Sequence, residues 1–243
     1  MSEFSHGIEL QSASVTLGGK RVLEGLTLRL TEARIGVLGR NGSGKTTLLR
    51  LIAGLIAPDL GRVRVEGADP FADRKAVLAS LGILFQNPDH QILFPTVEEE
   101  LAFGLLQKGL PKPEAALRVG RLLAAEGRAH WAKAPVSTLS QGQRHYLCLL
   151  AVLLMEPRTI LLDEPLAGLD LPTQARLARR FAALPQRLVT ITHDPAVLVG
   201  ADRVLWLEAG RIVADGPPGQ VIAAFTAEMG RIGARDADAD LAG

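Results

Sequence analysis

The chain has 243 residues, of which 47% are hydrophobic and 22% charged, and a formal net charge of +1. That composition suits one large folded domain with a sizeable core and excludes a disordered chain; the near-neutral charge supplies no field for nucleic acid or an anionic membrane surface. The single cysteine, Cys148, cannot staple the monomer by a disulfide and reads as a small core residue of a protein from a reducing compartment. The opening MSEFSHG carries no apolar signal segment, and no apolar run approaches the roughly 18 to 20 residues a bilayer crossing needs. A soluble chain is expected, one that serves a membrane only by docking to other chains.

In chain order, Leu26, Leu28 and Leu30 alternate with Thr27 and Arg29, and Val63 and Val65 sit among Arg62, Arg64 and Glu66. That period of two predicts half-buried antiparallel strands. The short continuous apolar runs Ile35 to Leu38, Leu81 to Phe85, Ile160 to Leu162 and Leu188 to Ile191 predict strands covered on both faces, hence a parallel sheet with helices between its strands.

After the first run, residues 39–46 read GRNGSGKT, a full G-x-x-x-x-G-K-[ST] match, followed by Leu48, Leu51, Ile52 and Leu55 on one predicted helix face. Such a strand–loop–helix wraps phosphates with backbone N–H groups at a helix N-terminus. Gly39, Arg40, Asn41, Gly42, Ser43 and Gly44 form the wrap, with Gly42 and Gly44 permitting close approach. Lys45 adds a cation at the β and γ positions, and Thr46, with Thr47 behind it, offers a hydroxyl to Mg²⁺. The phosphates of a nucleoside triphosphate and Mg²⁺ are therefore the expected ligands.

From Pro88 to Leu139 the pattern turns helical: Thr96 and Glu99 have capping-box spacing, and LPKPEAALRVGRLLAAEG reads as a further helix. At 139–143 the chain reads LSQGQ, where Ser140 and Gln143 again have capping-box spacing before a helix through Tyr146, Leu150 and Leu154. Its N-terminus is an anion site. ILLDE at 160–164 delivers two carboxylates to the end of a buried strand. Asp163 is expected to hold Mg²⁺ and Glu164 to orient and polarise the attacking water. Finally, VLWLEAGRIVADG reads as a hairpin turning near Ala209 and Gly210, and GARDADADLAG as a frayed tail.

LSQGQ resembles the LSGGQ signature of the ABC ATPases. The phosphate loop, Gln86 after a strand, the signature, ILLDE, AGLD and a histidine follow in that family's order across nearly the whole chain. The resemblance implies an α/β phosphate-loop NTPase core with a mostly parallel sheet, an N-terminal antiparallel β subdomain and an inserted helical subdomain. The expected boundaries are 1–87 with 158–225 for the core, 88–157 for the helical insertion and 226–243 for the tail. It also implies two chains sandwiching two ATP molecules head to tail, most simply as a homodimer. Ser140 and Gly142, with Gln141 and Gln143 beside them, then complete the partner's site, Asp170 crosses the seam, His193 contacts the γ-phosphate, and Gln86 senses Mg²⁺ and water at the hinge. Two residues depart from the family. Gln141 replaces a signature glycine and is expected to add a side chain near the partner's nucleotide. Leu17 stands where an aromatic ring usually stacks on adenine, so apolar contact alone, aided by Val22, is expected there.

The segment NPDHQILFPTVEEELAFG after Gln86 resembles that of the energy-coupling factor importers, with matches at Asn87, Pro88, Asp89, Gln91, Pro95, Thr96, Val97, Glu98 and Glu99. This implies a peripheral ATPase on the cytoplasmic face of the membrane. A groove beside the helical insertion would receive a transmembrane coupling subunit, the acidic face Glu98 to Glu100 would meet its arginines, and a second membrane subunit would bind the solute. Cobalt or nickel is the first expectation for that solute and biotin or another vitamin the second. An ordinary solute-importer ATPase and a soluble ABC protein of DNA repair or the ribosome are the alternatives, and no nucleic-acid partner is expected.

Overall fold

In the computed structural model, which describes residues 7–235, the chain opens with a hairpin of β1 (Ile8–Leu17) and β2 (Lys20–Leu30). Gly18 and Gly19, both at positive φ (56° and 78°), make the tight two-residue turn whose twist matches the strands. Next come β3 (Arg34–Leu38), α1 (Lys45–Ile52) and β4 (Leu60–Val65), and β4 joins the hairpin in an antiparallel sheet of order β2-β1-β4. The predicted alternation holds, since Leu26, Leu28, Leu30, Val63 and Val65 are all buried. In α1 the buried face is Leu48, Leu49, Leu51 and Ile52. Leu55, expected on that face, lies beyond the helix and is 46% exposed. A Schellman ending is the cause: Leu55 N–H donates to the Arg50 carbonyl (2.9 Å), Gly54 N–H to that of Leu51 (3.1 Å), and Gly54 turns at φ 69°.

By its internal contacts the chain divides into Met1–Ala72 with Val189–Gly243, and Asp73–Leu188. The second unit begins with α2 (Arg74–Ser80), capped by Asp73, and β5 (Leu81–Leu84), which pairs in parallel with β6 (Thr159–Asp163). Between them run α3 (Val97–Gln107), α4 (Lys112–Ala125) and α5 (Gln141–Leu154), and after them α6 (Leu171–Ala182). The stretch 88–157 read as a helical insertion thus lies within a larger unit that also holds α2, β5, β6 and α6.

Helix α5 buries two faces. Leu147 and Leu150 pack with Val97, Leu101, Val119 and Leu123 of α3 and α4. Cys148, Leu149 and Val152 pack on Ile160 and Leu162 of β6 and on Leu177 and Phe181 of α6. A helix held from both sides has little freedom to tilt against either neighbour. Cys148 is the core residue expected, and burial pushes its thiol up to about 12.

At α3 the helix opens after Thr96 as its spacing predicts, but not through a capping box. Thr96 occupies the N-cap without a side-chain cap bond, and its hydroxyl donates instead to the Glu99 carboxylate. Glu100, read as part of an outward acidic face, is 5% exposed and accepts the N–H groups of Leu93 (2.8 Å) and Phe94 (2.9 Å). It pins the preceding loop rather than meeting a partner.

The division between the units falls in β7 (Arg187–Thr192), after which the first unit resumes with β8 (Arg203–Glu208), β9 (Arg211–Gly216) and α7 (Pro218–Arg235). Strand β8 runs parallel to β3, from Ile35↔Arg203 to Leu38↔Trp206, and antiparallel to β9. The hairpin turns at Ala209 (φ 46°) and Gly210 (φ 77°), where the sequence placed it. On α7, Val221 and Phe225 pack with Leu38 and Val204, and the Trp206 ring meets Phe225 edge-on at 5.5 Å. The helix continues to Arg235, past residue 225 where the sequence reading began a tail. Residues 236–243 of that tail lie outside the described residues.

Candidate functional site

In the first unit, residues 39–44 bridge β3 and α1 in a loop that is tightly packed at both ends. A Cβ on Gly39 would lie 2.3 Å from the Leu207 carbonyl oxygen and 2.6 Å from Ser43 Oγ; one on Gly44 (φ 106°) would lie 3.0 Å from both Leu23 and the Val22 carbonyl oxygen. Val22, expected to help cover adenine, is thus placed by its backbone against the foot of the loop. Ser43 N–H donates to the Arg40 carbonyl (3.2 Å), and the Ser43 carbonyl accepts from Gly210 N–H (3.0 Å). The β8–β9 hairpin and β2 therefore brace the loop from outside.

Lys45 is buried, and its Nζ donates to the carbonyls of Gly39 (2.7 Å) and Arg40 (2.9 Å). These bonds fold the ammonium back over the loop, a fixed cation among backbone dipoles. Arg40, Asn41, Gly42 and Thr46 are exposed and Thr47 half-buried. Leu17, at the end of β1, is 41% exposed and offers an accessible apolar surface. His193 follows β7 and is exposed, and the next residue turns the chain with a bond from Asp194 N–H to Thr192 Oγ1 (3.0 Å).

In the second unit, β6 ends in Asp163 and Glu164 follows it directly, the two 8% and 9% exposed. Glu164 has φ 46°, the left-handed region a non-glycine residue enters only under constraint. Its carbonyl accepts from Ala167 N–H (3.1 Å). Gln86 is exposed two residues beyond β5, at the head of a folded segment. Asn87 Oδ1 accepts from Asp89 N–H (2.9 Å), Gln91 Oε1 from Phe85 N–H (3.1 Å), and Gln91 Nε2 donates to the Ile83 carbonyl (3.3 Å). Gln91 is therefore a brace for the segment carrying Gln86.

The signature turns its capping box into geometry: Ser140 N–H donates to Gln143 Oε1 (2.7 Å) and Gln143 N–H to Ser140 Oγ (3.3 Å). Both side chains thereby serve the N-terminus of α5. Asp170 does the same for α6, accepting from Thr173 N–H (2.7 Å), and hydrogen bonding with Thr173 holds its carboxyl below the usual range. The signature and the AGLD loop meet within the chain. A Cβ on Gly142 would lie 2.7 Å from Thr173 Cγ2, and Gln141 Nε2 lies 3.6 Å from where a Cβ on Gly168 would be. Gln141, expected to reach toward a partner's nucleotide, here lies against its own AGLD loop. Gly142→Ala should therefore lower stability by about 1–3 kcal/mol through overpacking, read as a fall in thermal midpoint, and Thr173→Ser in the same chain should restore part of it.

Beside the signature lies a recess of about 330 Å³ lined by Ser140, Gly142, Gln143, Arg128, Tyr146 and Arg176. The Arg128 guanidinium is stacked 4.8 Å from both the Trp131 and Tyr146 rings, a rigid cation–π mount. Behind the recess, on the inner face of α5, His145 is fully buried. Burial holds its pKa below the usual histidine value, while the backbones of Gln141 and Gln86 favour the charged ring. Sequence reading missed His145 and Thr173, and it named Gln91 only as part of the 87–99 segment, without its bracing role. For His145 there was a signal: its place four residues after Gln141 on a helix with an apolar inner face.

A loop built to ring phosphates around a buried lysine, and a buried strand ending in two carboxylates, define a nucleoside-triphosphate-hydrolysing class of protein. Comparison with known proteins narrows the class. The ABC transporter family model matches residues 23–167. The biotin transport ATP-binding protein BioM of Rhodobacter capsulatus is 54% identical over 91% of this chain and 95% of its own length. The energy-coupling factor transporter ATP-binding protein EcfA of Methanocaldococcus jannaschii is 37% identical over 84% of this chain and 76% of its own. The solved structure of cbiO1 from Clostridium perfringens, part of the ABC transporter complex cbiONQ, superposes with a TM-score of 0.78 at 28% identity, covering 94% of this chain and 97% of that one. The chain belongs to the ABC transporter family, has the ABC ATPase fold, and is one of the family's ATP-hydrolysing subunits.

Proposed function

We propose that the chain energises an energy-coupling-factor importer for biotin, working as a pair of identical copies at the cytoplasmic face of the membrane. The observation that carries the solute is the 54% identity with BioM over nearly the whole of both chains. It moves biotin ahead of cobalt and nickel, which the sequence resemblance ranked first. The importer type is supported by the 87–99 segment and by what it builds. Among the described residues no helix is long and apolar enough to cross a membrane. Helices α3 and α4 do carry an apolar groove of about 490 Å³, lined by Phe94, Ala102, Phe103, Leu106 and Val119 with Lys133 at hand. Phe94 and Phe103 stack at 5.1 Å. Such a groove suits the apolar face of a partner's helix, and Glu98, ion-paired with Lys133, is available to exchange that lysine for a partner's arginine.

In this reading residues 39–44 wrap the phosphates of ATP, Lys45 offsets their charge, and Glu164 orients and polarises the attacking water. His193 meets the γ-phosphate, and Ser140 with the N-terminus of α5 meets the γ-phosphate held by the partner. Leu17 covers the base by apolar contact. Thr46, Gln86 and Asp163 would hold Mg²⁺, and a hydroxyl, an amide and a carboxylate form the all-oxygen donor set such a hard cation prefers. When bound, the ion supplies neutralisation of the charge that builds on the phosphate oxygens. Because ATP favours the closed pair, losing the γ-phosphate releases it, and the helical regions can pass that motion to docked membrane subunits.

Deleting the gene should abolish uptake of labelled biotin at nanomolar supply, with restoration by the wild-type chain and not by Glu164→Gln. Biotin uptake that persists while cobalt or nickel uptake disappears would overturn the assignment of the solute.

A further inference from the structure

Helix α5 lays three side chains along the segment that carries Gln86. Arg144 Nε pairs with Asp89 (2.9 Å), and Cys148 Sγ lies 4.0 Å from the Pro88 carbonyl oxygen. Between these two ties lies His145, 0% exposed, with the backbones of Gln86 and Gln141 beside its ring. Both ring nitrogens face those backbones without reaching good hydrogen-bond geometry. A buried imidazole in that condition has given up water without full compensation, and an apolar side chain of similar volume would fill the space at least as stably. Its place beside two glutamine backbones suggests a use for an imidazole here.

We propose that His145 is a positioning residue for Gln86, its ring N–H closing onto the Gln86 backbone as the 86–89 segment shifts along α5. The inference rests on the place of Gln86 in the ATP site proposed above. The short Asn87-capped turn is tied to α5 at Asp89 and Pro88, so a small slide of that turn changes the spacing to His145 before it disturbs the helix, which is held on two faces. Closing the bond would fix the backbone from which the Gln86 amide projects. Because the backbone of Gln141 also lies beside the ring, the same contact would set Gln86 in register with the signature helix that Ser140 caps.

The test uses the full chain in its assembled transporter, with His145→Leu, His145→Gln, Gln86→Ala and the double variant Gln86→Ala/His145→Leu. His145→Leu should keep or raise the thermal midpoint, leave KM for ATP within about twofold, and lower kcat about tenfold. His145→Gln, which retains an N–H donor, should recover most of the lost kcat. In the Gln86→Ala background, His145→Leu should lower kcat no further, because both changes act through one contact. Wild-type kcat in His145→Leu would overturn the inference, as would a loss that tracks a fall in thermal midpoint and adds in full to that of Gln86→Ala. Wild-type kcat in Gln86→Ala would instead remove Gln86 from the ATP site, and this inference with it.

Discussion

Glu164→Gln should bind ATP with near wild-type affinity and hydrolyse it about a thousandfold more slowly, within the range by which a positioned base accelerates a reaction. The amide matches the carboxylate in shape, so the turn at φ 46° and the bond from Ala167 N–H to the residue 164 carbonyl (3.1 Å) persist. What is lost is the charge that polarises water. That backbone turn sets the direction of the side chain, so the defect should appear in kcat and leave KM almost unchanged. With ATP bound and uncleaved, the variant should run as a dimer on a sizing column while the wild type returns to its resting state. Turnover close to wild type would show that another group does this work.

The second large effect should appear only on mixing. Ser140→Arg removes the hydroxyl that caps Gln143 N–H (3.3 Å), costing about 1 kcal/mol, and puts a long cation at the N-terminus of α5. Lys45→Ala removes the Nζ bonds to Gly39 and Arg40 together with the charge at the phosphates. Each variant alone should be nearly inactive, since in a self-pair both sites carry the lesion. Mixed in equal amounts, half of the pairs combine one copy of each and hold one intact site, so activity should return to about a quarter of wild type if the copies join head to tail. No recovery at any ratio, with both variants folded by thermal unfolding, would count against that arrangement.

Legibility followed the range of the interactions. The loop at 39–46, the turn at Ala209 and Gly210 and the Ser140–Gln143 capping box are short-range geometry, written in adjacent residue types with few alternatives. Spacing was incomplete where a second local partner competed: Thr96 starts α3 as predicted, but its hydroxyl chose the Glu99 side chain, and Gly54 ended α1 before Leu55 could join its face. It failed where burial overruled chemistry. Glu100 looks like its acidic neighbours, yet only the backbone N–H groups of Leu93 and Phe94 explain why a carboxylate can be buried there. The extent of α7 was missed because its packed positions, Val221 and Phe225, show one turn of period before the polar end.

By itself, the sequence determined the class of chemistry, because phosphate wrapping and paired carboxylates each need a few residue types in fixed order along one stretch of chain. The tertiary structure decided what surrounds them. Thr173 leaves no room for a side chain at Gly142, the AGLD loop takes the Gln141 side chain, and His145 stands beside the backbones of Gln86 and Gln141. These partners lie tens of residues apart, and no local periodicity records which helix face will meet which loop. Packing of α5 against both of its neighbours does.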